Sequence, residues 1–159
     1  MFKLYQKAID MANISEKDTV LDAYSGIGTL SLLLSKKTKK VYAIEVNQDA
    51  HKDAIDNKNY NKIQNVEFIL GDVGKKMNLL QVPIDMLFMD PTRDGASMEF
   101  LNDVLKLNPK KIIYISCEPK TQVRDLKTLK SHYKITEIQP VDMFSQTVHT
   151  ENIVVLDRA

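Results

Sequence analysis

The chain has 159 residues, 43% of them hydrophobic and 27% charged, enough for one globular domain with a real core and no need of disulfide staples. Lys plus Arg number 22 against 21 acidic residues, for a net charge of +1, so no global field draws the chain to nucleic acid and only local patches could. A single cysteine excludes an internal disulfide. With no apolar run of membrane-spanning length and no signal-peptide pattern, the expectation is a soluble, cytoplasmic protein without membrane association or metal.

The first dozen residues, MFKLYQKAIDMA, have helical periodicity and are expected to pack outside the first strand. TVLDAY (19–24) reads as that strand, SGIG as a tight turn and TLSLLLSKK as a helix. KVYAIEV is a second strand, NQDAHKDAIDNKNYNK a polar-faced helix capped by Asn47, and VEFILGD a third strand. IDMLFMD and KIIYISC follow as fourth and fifth strands, separated by the helical SMEFLNDVLKLN. This alternation predicts an α/β doubly wound, mostly parallel sheet with helices on both faces. YKITEIQPVDMF and HTENIVVLDR are too closely spaced for a helical crossover and predict a C-terminal antiparallel hairpin at a sheet edge. No repeat, low-complexity tract or linker interrupts residues 1–159, which read as one domain.

Ligands of such sheets sit at the carboxyl ends of the strands. Gly26 and Gly28 in LDAYSGIGTLSL let the backbone turn sharply and approach a ligand, and Glu45 ends the second strand where ribose hydroxyls could be accepted. A dinucleotide fingerprint also has an acidic residue about 20 positions on. Here, however, Ser31 stands at the third-glycine position and Asp22 sets a carboxylate where it would repel a pyrophosphate. A cationic, phosphate-free nucleoside fits better. S-adenosylmethionine is such a ligand, and Asp72 at the end of strand three is placed to reach its adenine. The competing reading makes the two glycines an ordinary βα turn and Glu45, Asp72 and Asp90 plain strand-end caps.

Three later segments carry chemistry: DPTRDG from Asp90, SCEPKTQVRDL from Ser116 and DMFSQTVHTE from Asp142. In this order they resemble the DPPRxG, SCNPxTxxRDL and DMFPxTxHxE segments of the RNA uracil-5-methyltransferases, the makers of 5-methyluridine in transfer and ribosomal RNA. LDAYSGIGTLSL resembles that family's cofactor turn, and the likeness covers nearly the whole chain. Thr92 and Ser145 stand where the family usually has proline, Glu118 where Asn or Asp is usual, and Ser25 where a non-catalytic cysteine is common. Family members resemble a longer protein in which an RNA-binding barrel precedes the catalytic domain; this chain looks like the catalytic domain alone.

The resemblance implies a class I methyltransferase fold and S-adenosylmethionine as cofactor, held by Tyr24, Gly26, Gly28, Thr29, Glu45, Asp72 and Asp90. It also implies an RNA uridine, ribosomal or transfer, as substrate, with Cys117 as nucleophile and Glu151 as general base. The chemistry asks for the same residue types. Uracil C5 is too poor a nucleophile to take a methyl group until something adds at C6, and a thiolate both adds well and leaves well. Cys117 ends a strand, and Pro119 suits the first turn of a following helix, whose N-terminus favours a thiolate. Loss of the C5 proton needs a base, for which Glu151 is the candidate, with His149 two residues before it on the same strand face.

Asp90 is placed to hold the uracil edge or the cofactor, and Arg93 and Arg124 to contact phosphates or simply to cap backbone. Phe144 and Tyr24 are the aromatics nearest for stacking on a flipped base. The cluster Lys36, Lys37, Lys39 and Lys40 is either a solvated helix end or a phosphate contact. Two rivals remain at this stage. One is a methyltransferase of another acceptor, which leaves Cys117 and Glu151 unexplained. The other is a non-catalytic module that binds cofactor or RNA.

Overall fold

The computed structural model describes residues 1–143 and 150–159. Its elements run α1 (Phe2–Ala12), β1 (Thr19–Ala23), α2 (Thr29–Leu34), β2 (Lys40–Glu45), α3 (Gln48–Tyr60), β3 (Val66–Leu70), α4 (Val73–Met77), β4 (Met86–Met89), α5 (Met98–Leu107), β5 (Lys111–Ser116), α6 (Pro119–Leu129), β6 (Tyr133–Val141) and β7 (Glu151–Arg158). The strands form one sheet in the order β3-β2-β1-β4-β5-β7-β6, with β1 to β5 parallel and β7 antiparallel to both β5 and β6. The expected mostly parallel sheet with its C-terminal hairpin is therefore present, β6 forming the edge and β7 joining the hairpin to β5.

Period-two alternation divides the core into two layers. Val20, Phe88, Ile113, Ile153 and Val155 face α1 and α2, where Leu4, Ala8, Ile9, Leu30 and Leu34 are buried against them. Leu21, Leu87, Met89, Ile112, Tyr114 and Val154 face the opposite way, toward Phe100, Leu101 and Val104 of α5 and Leu129 of α6. Residues of the central strands β1, β4 and β5 are almost fully buried on both faces, which explains continuous apolar runs such as KIIYIS in place of an alternating pattern. Side-chain caps start the helices: Asn47 accepts from Ala50 N–H and Ser97 from Phe100 N–H, at 2.9 and 3.1 Å.

Two local features differ from the sequence expectation. α1 lies chiefly over β5 and β7 rather than over β1, because α2 returns across β1 and β2 and covers that part of the face. α4, a five-residue helix capped by Asp72, was not foreseen, since VGKKM is too short to show a helical period.

Candidate active site

The order of strands reverses between β1 and β4, and a sheet of this kind opens a crevice at the carboxyl edge there. The turn after β1 builds one side of it. Glu45 holds this turn with both carboxylate oxygens: Gly26 N–H donates to Oε2 at 2.7 Å and Asn47 N–H to Oε1 at 2.8 Å. Each oxygen keeps a second lone pair for a ribose hydroxyl. Asp72 caps α4 through Lys75 N–H at 3.0 Å, so it acts as a strand-end cap, and it lines the cleft as well. That cleft runs over Tyr24, Glu45, Val46 and Asp72 and continues past Gly95 and Phe100. Tyr24 stands at its middle in a left-handed conformation, φ 64, with its ring edge-on to Phe100 at 5.4 Å. A bulky side chain rarely adopts such a φ away from a turn or functional strain.

The two glycines of the turn do different things. At Gly28, φ 84, an added Cβ would lie 2.6 Å from the Phe68 ring, so this glycine allows α2 to dock against β3 and α3. At Gly26, φ 54, an added Cβ would meet nothing within 4 Å, so its open side faces free space. Beside it the buried Ser25 hydroxyl has no hydrogen-bond partner among the described residues. An open glycine cradle, an orphaned hydroxyl and a carboxylate with spare lone pairs fit a nucleoside ligand such as S-adenosylmethionine. Thr29, the first residue of α2, lines instead a hollow between α2 and α3 with Leu33, Lys36 and Asn61.

Alternation along the strands brings the reactive groups together on the other part of the edge. Val20, Phe88, Ile115 and Ile153 all face the α1 layer, so by the two-residue period Asp22, Asp90, Cys117 and Glu151 project to that same side. The β5–β7 register reinforces this: its last pair sets Ser116 opposite Asn152, and the half-buried Cys117 and Glu151 are the residues next to that pair in sequence. Beside Cys117, Ser116 Oγ accepts from Glu118 N–H at 3.0 Å, fixing the bend that carries Cys117 into α6, whose first residue is Pro119.

Burial governs the charges of this group. Asp22 is 1% exposed and receives a hydrogen bond from the Ser31 hydroxyl. Burial pushes its carboxyl up to about 7, the Ser31 bond pulls it down and the charges of Asp90 and Glu45 add to the rise. Asp90 is raised to about 6, chiefly by burial and further by Glu151, against a lowering hydrogen bond from Tyr5. Glu151 is raised as well, by burial, with the chain's amino terminus and Arg93 opposing. Three carboxyls raised by burial at one edge of the sheet mark this group as the candidate for proton-transfer chemistry.

Several supporting residues left no signal in the sequence. Gln122 of α6, 1% exposed, donates to the carbonyls of Tyr114 and Asn152 and accepts from the Asn152 amide at 2.7 Å, tying β5 to β7 beside Cys117 and Glu151. Asp125, fully buried, accepts from Ala96 N–H, the Tyr114 hydroxyl and Arg124. Arg124 also donates to the carbonyls of Asp94 and Ala96, so it clamps the loop after Asp90 and takes the structural of its two expected roles. Tyr5 was readable only as a polar tip in the buried stripe of Leu4, Ala8 and Ile9. Lys36, Lys37, Lys39 and Lys40 lead into β2 and so lie at the amino edge of the sheet, away from Cys117. Phe144 and His149 lie outside the described residues.

Comparison with known proteins bears on this arrangement. The model of the tRNA (uracil-5-)-methyltransferases matches residues 72–159, the half that contains Asp90, Cys117 and Glu151. The chain belongs to that family. The ribosomal RNA adenine dimethylase model matches residues 2–82, the half with the glycine turn. An uncharacterized RNA methyltransferase of Staphylococcus epidermidis is 44% identical over 98% of this chain, and one of Caldanaerobacter subterraneus 42% identical over 98%. The chain spans 35% of the length of each of these relatives. Among solved structures, the Pyrococcus abyssi tRNA (uracil-54, C5)-methyltransferase in complex with S-adenosyl-L-homocysteine superposes with a TM-score of 0.81 at 29% identity, covering 95% of this chain and 37% of that one. A precorrin-6y C5,15-methyltransferase from Geobacter metallireducens superposes with a TM-score of 0.83 at 14% identity, which speaks to the fold alone. In the family context the residues that diverge from its usual motifs, Thr92 and Glu118, keep ordinary structural roles: the Thr92 carbonyl accepts from Gly95 N–H and Glu118 caps α6.

Proposed function

We propose that this domain transfers a methyl group from S-adenosylmethionine to C5 of a uridine in RNA through a covalent adduct between Cys117 and C6. The observation that carries the proposal is the β5–β7 register, whose last pair, Ser116 opposite Asn152, leaves Cys117 and Glu151 as the next residues at that end of the ladder, beside a cleft that fits a nucleoside. Glu45, Asp72 and Tyr24, with the open side of Gly26, are the residues that would hold the cofactor. When bound, S-adenosylmethionine supplies an electrophilic methyl group.

Cys117 Sγ, as thiolate, forms a bond to C6 and pushes the ring electrons toward C5 and the O4 enolate. Asp90, beside the nucleophile, holds the pyrimidine edge during this addition. Once C5 carries the methyl group, Glu151 removes the C5 proton, the C5–C6 double bond re-forms and the Cys117–C6 bond breaks, returning the thiolate. Burial raises Glu151 above its ordinary value, which makes its carboxylate a stronger base for that proton. Arg93, exposed and close enough to act on the Glu151 charge, is available to a phosphate of the displaced nucleotide.

The test uses RNA containing 5-fluorouridine, in which C5 carries no removable proton. Incubated with S-adenosylmethionine, the protein should form an SDS-stable complex with this RNA, and Cys117→Ala should form none. If Cys117→Ala still methylated ordinary uridine RNA, the covalent mechanism would be excluded.

A further inference from the structure

The Tyr5 hydroxyl, on the first turns of α1, donates across 3.0 Å to Oδ2 of Asp90, 85 positions away in sequence. No other donor reaches Asp90 among the described residues, so Oδ1 is left for a substrate. Tyr5 is half-buried, with its ring beside a helix face anchored by Leu4, Ala8 and Ile9. We infer that Tyr5 is a positioning residue for methyl transfer: its hydroxyl fixes the Asp90 carboxyl so that the second oxygen accepts the N3–H of the uracil that Cys117 attacks. This inference rests on the uridine reading above and extends it to the helix that covers the nucleophile.

The chemistry follows from what a phenol can do in this place. Burial and the neighbouring carboxylates hold the Tyr5 phenol protonated, well above its ordinary range, so it can only donate to an ionised carboxylate. Donation of this kind favours the charged form of Asp90 against burial and against Glu151. An ionised Asp90 is an acceptor, which matches uracil N3–H and fixes which edge of the ring enters. The groups facing Asp90 are Tyr5 from α1, Asp22 from β1 and Glu151 from β7. Arg93 and the amino terminus act on the charge of Glu151.

Tyr5→Phe keeps the ring and removes the donor. With uridine RNA as substrate, kcat should fall about 10- to 100-fold, the loss expected for one hydrogen bond to a charged group. The calorimetric affinity for S-adenosylmethionine should not change. The acidic limb of kcat/KM should move to higher pH, because the bond that holds the Asp90 carboxyl down is gone. A purely structural tyrosine would lower activity without moving that limb, and this result would overturn the inference. So would weaker cofactor binding with unaltered RNA kinetics, which would assign Asp90 to the cofactor. Should Tyr5→Phe fail to fold, 3-fluorotyrosine at position 5, a stronger donor of the same shape, should shift the limb to lower pH; an unmoved limb refutes the idea equally. A wild-type protein that forms no adduct with 5-fluorouridine RNA would instead sink the uridine reading. In that case the carbon-13 titration of the Asp90 carboxyl in the free protein still decides the contact: unless Tyr5→Phe titrates at higher pH than wild type, Tyr5 does not hold Asp90.

Discussion

At the ends of β2 and β3, Glu45 and Asp72 are committed to backbone N–H groups of neighbouring turns and stand at the solvent-facing cleft. At the ends of β1 and β4 and the start of β7, Asp22, Asp90 and Glu151 lie under α1 and α2, where burial raises all three. Both groups are acidic residues at strand ends, but they do different physical work. The first shapes a cradle out of main chain, and its charge is compensated by dipoles. The second keeps carboxyls in a place where ionisation is costly, so that protons move there easily. One edge of one sheet therefore has a half whose carboxylates are tied to main chain and a half whose carboxyls are raised by burial, and the proposed function assigns the nucleoside to the first and the reacting base to the second.

The contrast would break most visibly at Glu151. Glu151→Gln leaves Cys117 able to add but removes the base, so product release should fall about 10²- to 10⁴-fold. The cysteine adduct with ordinary uridine RNA should accumulate on denaturing gels in the presence of cofactor. Rapid turnover with no accumulated adduct would assign the proton to another group. The two glycines sharpen the comparison on the half tied to main chain. Gly28→Ala forces a Cβ to within 2.6 Å of Phe68 at φ +84, and should lower stability by about 1–3 kcal/mol in denaturant unfolding. Gly26→Ala meets no atom and should cost only the left-handed backbone penalty, about 1–2 kcal/mol, while weakening cofactor binding by calorimetry because the methyl enters the cradle. Equal effects of the two substitutions on cofactor affinity would remove the distinction between packing glycine and ligand glycine.

The sheet was legible because its central strands β1, β4 and β5 are short runs of buried residues separated by helical patterns, the imprint that a parallel sheet covered on both faces leaves in chain order. The hairpin was legible from the shortness of its connection. Cys117 and Glu151 stood out through their motifs, and only the antiparallel register brings their segments to the same end of the β5–β7 ladder. What stayed hidden depends on pairs far apart in sequence. Gln122 reaches Asn152 across 30 positions and Tyr5 reaches Asp90 across 85, and no periodicity of either segment encodes its partner. For Asp72 the sequence offered a ligand role and a capping role, and the Lys75 N–H bond supplies the cap. Asp125 was visible only as the companion of Arg124, yet it links Tyr114 to the loop of Ala96.

The smallest effect, and the most specific to the half raised by burial, concerns Asp22. Its carboxyl titrates near about 7 when folded and near about 4 in an unfolded chain. Between these values the folded protein binds the additional proton, so stability is greatest at the acid side of the window and declines as pH rises through it, with no further loss above the folded value. Thermal unfolding of the wild-type protein should thus move to lower temperature between pH 5 and pH 8. Asp22→Asn keeps an acceptor for the Ser31 hydroxyl and removes the titration, so its decline over the same range should be shallower. Groups common to the two proteins cancel in the difference to first order. Parallel melting profiles for the two proteins would mean that Asp22 is ionised throughout, its charge carried by the hydrogen bond from Ser31, and the crevice would then owe its proton affinity to Asp90 and Glu151 alone.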